Sequence, residues 1–339
     1  MVRKRTVAFS RNAVNLFFHL LTHCNLNCRH CYINPDQHGT RTLPLETVRR
    51  WLEAFQPRSR ETNLVLLGGE PTLHRDLARI IRLAREMRFG SVTVDTNGYL
   101  FHDILTRVTP ADVDYFSFSL DGPAADINDP LRGDGAFDVC VAGIRRAVAK
   151  GFTTSLIYTV SRANIDHLDR MGPLLKELGV VRFFIQVIGL RGQSAHRSGA
   201  DGTESPGQVT REQWLGVIPP AAARVADLGI TVTYPKVFLD PAEPFACAGR
   251  VAENYFVFPN GRVYRCPLCE DHPLHSLVFS DDRLVATPPI NEQDLFALTI
   301  PEGCVMNRLI QPGNIEYRPD GRPAYPIACC LLKEELRAE

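Results

Sequence analysis

The chain has 339 residues, 45% hydrophobic and 22% charged, with 38 Lys plus Arg against 38 Asp plus Glu. This is the composition of an ordinary globular protein with a sizeable core. The charge balance removes any whole-chain electrostatic argument for nucleic acid or an acidic membrane surface, so neither is expected as a partner. Arg3, Lys4 and Arg5 precede an apolar run at 14–21. Asn15 and His19 interrupt that run and no small-residue cleavage site follows, so it reads as a strand rather than a leader. No apolar stretch approaches the ~20 residues of a membrane span.

Short β-rich runs alternate with helical patterns from about 14 to about 235. Strands are expected at 16–21, 64–67, 91–95, 115–120, 155–160 and 182–188. Helices are expected to start near Leu45, Asp76, Phe137 and Ile165, with a shorter one near His102. Apolar residues recur at helical spacing in Leu77, Ile80, Ile81 and Ala84, and again in Val141, Ile144, Ala147 and Val148. This alternation implies a parallel sheet with right-handed crossovers. Six such units imply an α/β fold, a partial TIM-like (β/α)6 barrel that stays open rather than the closed eight-unit form. The run 189–207 is rich in Gly and Ser without periodicity and reads either as a lid or substrate loop or as a surface insertion. A helix from about Thr210 and a short strand at 230–234 complete this domain, taken as 10–235. From Asp240 onward proline is frequent and cysteines return, which marks a small cysteine-rich β/α module at 240–339.

In such folds functional groups gather at the C-terminal ends of the strands. Cys24-Asn-Leu-Asn-Cys28-Arg-His-Cys31 follows the first strand and Gly68-Gly69-Glu70-Pro71 the second. Thr96-Asn97-Gly98 follows the third, and Ser119-Leu120-Asp121-Gly122 closes the fourth. The spacing C-x3-C-x2-C puts three thiolates on one tight loop, enough to grip three irons of a 4Fe–4S cluster. The missing fourth ligand leaves one position open, as a catalytic metal centre requires. Structural zinc, completed by His23 or His30, is the alternative, and a disulfide would strand the third cysteine. The ten cysteines fall mainly at 24–31 and 247–330. That grouping suits metal binding in a reducing compartment, the cytoplasm, better than disulfide stapling. Cys140, on the apolar face of a helix, reads as core.

This cysteine run resembles the signature of the radical S-adenosylmethionine (radical SAM) superfamily, and the resemblance covers about 14–235. It implies a partial (β/α)6 barrel, a 4Fe–4S cluster on Cys24, Cys28 and Cys31, and S-adenosylmethionine bound to it. Gly68, Gly69 and Glu70 resemble the family's second-strand motif, which meets the cofactor's amino group. Ser119 and Asp121 sit where the family touches the ribose. His30 and Tyr32 flank Cys31, where an aromatic lies near the adenine. The implied chemistry takes an electron from a donor such as flavodoxin or ferredoxin and cleaves the cofactor to a 5′-deoxyadenosyl radical. That radical abstracts a substrate hydrogen.

Near the C-terminus, Pro259-Asn260-Gly261 reads as a hairpin turn that brings Cys247 and Cys266 to one end of a small β-unit. Cys269 follows Cys266 at C-x2-C spacing. This resembles the start of the auxiliary-cluster extension called SPASM, or its half-length version called twitch. The dense cysteine run of the full extension is absent, and only Cys304, Cys329 and Cys330 remain. The resemblance therefore implies one auxiliary iron–sulfur cluster with four cysteine ligands at most. Cys247 and Cys266 would be its first two, the others coming from Cys269, Cys304, Cys329 and Cys330. Zinc, with His272 and His275 close in sequence, is the alternative. Asp240, Glu243 and Glu270 read as surface carboxylates, and no catalytic base is identified. The leading functional expectation is an oxidoreductase-type radical SAM enzyme that oxidises or cross-links a peptide, a maturase of ribosomally made peptides. A small-molecule dehydrogenase or decarboxylase acting on an amino sugar or a tetrapyrrole side chain is the alternative. A non-catalytic iron–sulfur carrier is the alternative of another class, and the motifs at 68–70 and 119–121 speak against it.

Overall fold

The computed structural model describes residues 2–10, 12–195 and 207–338, so most of the loop expected at 189–207 lies outside the described residues. The described strands are β1 (Val2–Val7), β2 (Val14–His19), β3 (Thr62–Leu67), β4 (Ser91–Thr96), β5 (Tyr115–Ser119), β6 (Thr154–Val160) and β7 (Arg182–Val187). They continue with β8 (Thr231–Pro235), β9 (Glu253–Val257), β10 (Arg262–Tyr264), β11 (Leu277–Ser280), β12 (Arg283–Ala286) and β13 (Lys333–Ala338). All belong to one mixed sheet in the order β1-β13-β8-β7-β6-β5-β4-β3-β2-β9-β10-β11-β12.

Strands β2 to β8 are consecutive parallel neighbours. The run is one strand longer than the six expected, because β8 pairs in parallel with β7 in the register Arg182↔Thr231. Burial alternates along β2, β3 and β4 with the period-2 pleat. One set of side chains, including Leu16, Phe18, Leu64, Leu66, Val92, Val94, Phe116 and Phe118, is buried in the main apolar cluster. Leu77, Ile80, Ile81 and Ala84 of helix Leu77–Glu86 lie in the same cluster, which is the face their spacing predicts. The opposite set, including Phe17, Val65, Thr93, Asp95, Ser119 and Ile157, is only part-covered, so the sheet keeps an open face.

A polar ladder crosses the starts of four strands. Ser91 Oγ donates to Asn63 Oδ1 at 3.0 Å, Asn63 Nδ2 to Asn15 Oδ1 at 3.1 Å, and Asn15 Nδ2 to Asn254 Oδ1 at 2.9 Å. A one-residue slip of any strand would turn its amide to the other face, so the ladder pins the register. Its last link reaches β9, which lies parallel to β2 with Asn15 opposite Asn254. The C-terminal stretch thus extends the same sheet. The expected hairpin forms between β9 and β10, with Gly261 at φ +94° in its turn.

Several elements escape the sequence pattern. β1 (VRKRTV) and β13 (KEELRA) have little apolar alternation, yet they pair antiparallel, and β13 pairs antiparallel with β8. Charge matches them, with Arg5 Nη2 2.7 Å from Glu335 and Lys4 Nζ 3.8 Å from Glu334. Helix Ala125–Arg132 carries Pro130 in its interior, a residue that argues against helix in a sequence. The helix expected near His102 shrinks to a 3-10 turn and Ile104–Arg107, because Leu100, His102 and Asp103 adopt φ of 54°, 57° and 50°. Among the described residues no helix is long and apolar enough to cross a membrane.

Candidate metal and cofactor site

β2 to β5 run parallel, so the segments after them meet at one edge of the sheet. The chain leaving β2 zips onto the chain leaving β3. Leu20 N–H donates to Leu67 O at 2.8 Å, Gly69 N–H to Leu21 O at 3.0 Å, and Glu70 N–H to His23 O at 3.1 Å. The two glycines permit this approach. A Cβ on Gly68 would lie 2.4 Å from Leu21 O, and one on Gly69 only 2.1 Å from His23 O. Their first role in this fold is therefore to let the cysteine loop seat on the turn.

Glu70 is fully buried and its four acceptor contacts hold the neighbouring turn. Oε1 accepts from Thr72 N at 3.0 Å, Thr72 Oγ1 at 2.6 Å and Thr96 Oγ1 at 2.8 Å, and Oε2 from Asn97 N at 2.7 Å. Desolvation pushes its pKa up. Asn97 carries the chain of contacts to the cysteines, with Nδ2 2.8 Å from Asn25 Oδ1 and 3.7 Å from Cys24 Sγ. Glu70, expected at the cofactor's amino group, holds the neighbouring turn, and the backbone of Gly68 and Gly69 beside it is half-exposed.

Asp121, expected at the ribose, is likewise fully buried. Its Oδ1 accepts from Thr159 N at 2.7 Å. Its Oδ2 lies 2.6 Å from Arg132 Nε and 3.1 Å from His30 Nε2. Arg132, then His30, hold the carboxyl well below the usual carboxylate range despite its burial. Ser119 remains half-exposed at the end of β5. Nothing in the sequence singles out Arg132, because Pro130 hides the helix that ends on it. That helix end docks on the cysteine loop: Leu131 O accepts from Arg29 N at 2.9 Å, and Arg132 O from Cys28 Sγ at 3.8 Å.

Tyr32 is part-buried beside Cys31. Its hydroxyl is 2.7 Å from His19 Nε2, and the Arg191 guanidinium stands 4.7 Å over its ring. Burial pushes His19 down to about 3, so the imidazole is neutral. His19 Nδ1 is 2.8 Å from Val257 O, and a carbonyl only accepts. Nδ1 therefore carries the proton and Nε2 accepts from Tyr32.

Cys24, Cys28 and Cys31 are all free thiols of intermediate exposure. His30, a candidate zinc ligand, is engaged by Asp121, and His23 is exposed. Among the described residues the donor set is three sulfurs without a fourth ligand. That set fits a 4Fe–4S cluster with one iron left open. Among the described residues no three His, Cys, Asp or Glu side chains close on a single metal ion. Cluster thiolates need not do so, since each binds a different iron. Burial pushes Cys24 up to about 11, so the thiolate form needs a positive ligand to draw off its proton.

The second cysteine group converges although its members are far apart in sequence. Cys247, Cys266, Cys304, Cys329 and Cys330 line one pocket with Phe245, Leu268, Phe296 and Met306. Cys269 is buried and hydrogen-bonds Cys266. Cys247 precedes helix Ala248–Val251, and Cys304 caps helix Val305–Ile310 with Sγ 3.5 Å from Asn307 N. Burial pushes Cys247 up to about 11. His272 is exposed and His275 bonds Pro273 O at 2.8 Å, and neither lines the pocket. Cys140 is 1% exposed in the core, as expected. Glu270 departs from the surface reading. It is 2% exposed and paired with Arg191, which also bonds Pro267 O. Burial pushes it up to about 8 against the pull of that guanidinium.

The two regions meet through a stack of rings. Phe258 lies 4.0 Å from His19 on one side and 3.8 Å from His38 on the other. His38 Nε2 is 2.8 Å from Glu270 O.

The sheet carries three free cysteines after its first parallel strand and a glycine turn after the next. Residues 19–172 match the sequence profile of the Radical SAM superfamily. The probable GTP 3′,8-cyclase of Saccharolobus solfataricus is 32% identical over 163 residues, 47% of this chain and 52% of that protein. The pre-heme d1 synthase of Dinoroseobacter shibae is 30% identical over 189 residues, 55% of this chain and 46% of that protein. The chain spans about half the length of the curated relatives it matches. In fold it is similar to Streptococcus suis SuiB bound to the precursor peptide SuiA, with a TM-score of 0.66 at 13% identity over 90% of this chain and 72% of that one.

Proposed function

We propose that this chain is a radical SAM enzyme that oxidises or cross-links a peptide by hydrogen abstraction. The observation that carries the proposal is the docking of the segment leading into Cys24, Cys28 and Cys31 on the Gly69–Glu70 backbone, with the half-exposed Ser119 at the end of β5. A 4Fe–4S cluster with S-adenosylmethionine supplies a 5′-deoxyadenosyl radical when bound. The chain's own residues do the rest. Cys24, Cys28 and Cys31 hold the cluster, and the Gly68–Gly69 backbone and Ser119 line the cofactor's place. Glu70 and Asp121 fix those walls from behind. The open sheet face around Phe17, Thr93 and Asp95 receives the substrate.

The architectural part of the proposal is a partial (β/α)6-type barrel at 10–235 with a SPASM- or twitch-like module at 240–339. In that module four of Cys247, Cys266, Cys269, Cys304, Cys329 and Cys330 hold one auxiliary iron–sulfur cluster. The convergence of five of these thiols on one pocket supports it. All ten cysteines are free, which suits a cytoplasmic setting with a flavodoxin- or ferredoxin-type electron donor. A peptide substrate draws support from the fold likeness to a protein solved with a precursor peptide. A small-molecule substrate, such as a tetrapyrrole or a nucleotide, is the second reading, favoured by the two curated relatives. Anaerobic incubation of the reconstituted protein with dithionite and S-adenosylmethionine tests the core of the proposal. 5′-Deoxyadenosine is expected, and its absence overturns the enzyme reading.

A further inference from the structure

We propose that Arg132, held in place by Asp121, is a fixed positive charge that raises the reduction potential of the cluster on Cys24, Cys28 and Cys31. The inference rests on the reading of that loop as a cluster site. Arg132 ends helix Ala125–Arg132, and its side chain is 8% exposed. Asp121 cannot follow it if it moves, because Asp121 N donates to Asn128 Oδ1 at 2.9 Å and its Oδ1 accepts from Thr159 N at 2.7 Å. The guanidinium is therefore clamped between an immobile carboxylate and the cysteine loop. The Arg132 side chain hydrogen-bonds the Cys28 thiol and stands close enough to Cys31 to act on it, and Cys28 Sγ lies 3.8 Å from Arg132 O.

His30, on the same Asp121 oxygen at 3.1 Å, is the loop's other basic group, and both variants below keep it. Glu70 is an acid held by hydroxyl and amide donors alone. Reduction adds one electron to a group that already carries three thiolates, in a low-dielectric setting where charges act strongly. A guanidinium beside two of the sulfurs favours that electron, since net charge and hydrogen bonding to sulfur set cluster potentials. Asp121 opposes it, and at Cys28 its interaction is the weaker of the two. The pair acts as a dipole with its positive end toward the cluster, and Asp121 is the positioning residue.

This arrangement predicts opposite shifts from its two halves. Arg132→Gln removes the positive end and leaves the carboxylate. Asp121→Asn removes the negative end and leaves the guanidinium. The anchoring of the helix end uses the carbonyls of Leu131 and Arg132, which both variants keep. The measurement is a redox titration followed by electron paramagnetic resonance on anaerobically reconstituted full-length protein. It is made without S-adenosylmethionine, so that contact with the cofactor cannot contribute. The first loop's signal is identified by its loss when Cys24, Cys28 and Cys31 are all replaced by alanine. Arg132→Gln is expected to disfavour reduction at least tenfold, a fall of about 59 mV for one electron. Asp121→Asn is expected to favour reduction by a similar factor, and Arg132→Lys, which keeps the charge, to stay within threefold of wild type. Loosened packing would move Arg132→Gln and Asp121→Asn in the same direction. A same-direction shift, or none, overturns the inference. If Arg132→Gln does not retain its cluster, Asp121→Asn decides, and a midpoint unmoved or lowered there is equally fatal. A wild-type protein that takes up no iron and sulfide on the first loop would instead sink the cluster reading itself.

Discussion

The two cysteine groups are built by opposite means. The first occupies eight consecutive residues and is shaped by backbone: strand ends zip together at Gly69 and Glu70, and buried carboxylates brace the turns from behind. The second is assembled from four separate stretches around positions 247, 266–269, 304 and 329–330, and its walls are apolar side chains. A site made by close backbone approach tolerates little change in shape but is encoded locally. A site made by apolar convergence depends on the whole C-terminal fold. The largest effects should separate them by function. Replacing Cys24, Cys28 and Cys31 by alanine is expected to bring 5′-deoxyadenosine below detection. The Cys247→Ala/Cys266→Ala variant is expected to keep it within about threefold of wild type, a difference of well under 1.4 kcal/mol. If chromatography of the reaction shows both variants equally dead, the division of labour between the groups is wrong.

The next effects concern how each group is held. Phe258 is fully buried between His19 and His38 and joins the two regions. Phe258→Ala leaves a ring-sized hole and is expected to cost about 4 kcal/mol in denaturant unfolding. A loss below about 1 kcal/mol would show that the regions do not depend on this joint. Gly69→Ala forces a Cβ to within 2.1 Å of the His23 carbonyl oxygen, and neither partner is a flexible side chain. The expected cost is about 3 kcal/mol, with loss of iron from the first loop and retention in the second. Gly216→Ala serves as its counterpart. It sits exposed in helix Arg211–Asp227 with nothing near its missing Cβ, so it should stabilise by about 0.5–1 kcal/mol.

The same contrast explains what the sequence shows. Cys24, Cys28 and Cys31, and the order of the turns after β2 to β5, are legible because spacing and strand alternation are local signals. Helix Leu77–Glu86 and the Gly261 hairpin are legible for the same reason. Arg132 is not, because Pro130 hides the helix that presents it. Glu70 and Asp121 are legible as positions, but their burial and their hydrogen-bond partners are not, since sequence does not show which side of a turn a carboxylate faces. β1 and β13 are paired by charge over more than 300 residues of chain, with Arg5 opposite Glu335. No window of residues contains that information. The convergence of Cys304 and Cys329 on Cys247 is hidden in the same way.

The smallest effect tests the open face beside the first group, where charge rather than shape is at stake. Asp95 ends an alternation on β4 that leaves it half-buried, and among the described residues no cation pairs with it. Burial pushes its pKa up to about 7, with the nearby Glu70 adding to the push and the Ser117 hydroxyl opposing it. The folded chain therefore keeps its proton over a range in which the unfolded chain has lost it. Below the unfolded value near 4 both forms are protonated, and the contribution is fully present. Between about pH 4 and 7 the unfolded chain ionises first, so stability falls as pH rises, and above about 7 the penalty is constant. Asp95→Asn removes the charge and keeps the shape. Full linkage would be worth about 4 kcal/mol, but Asp95 is only half-buried and solvent screens it, so the variant is expected to stabilise by about 1 kcal/mol at pH 8 and to do nothing at pH 4, read from urea midpoints at the two values. An equal gain at both values would assign the effect to packing, and the open face would then carry no strained acid for a substrate to relieve.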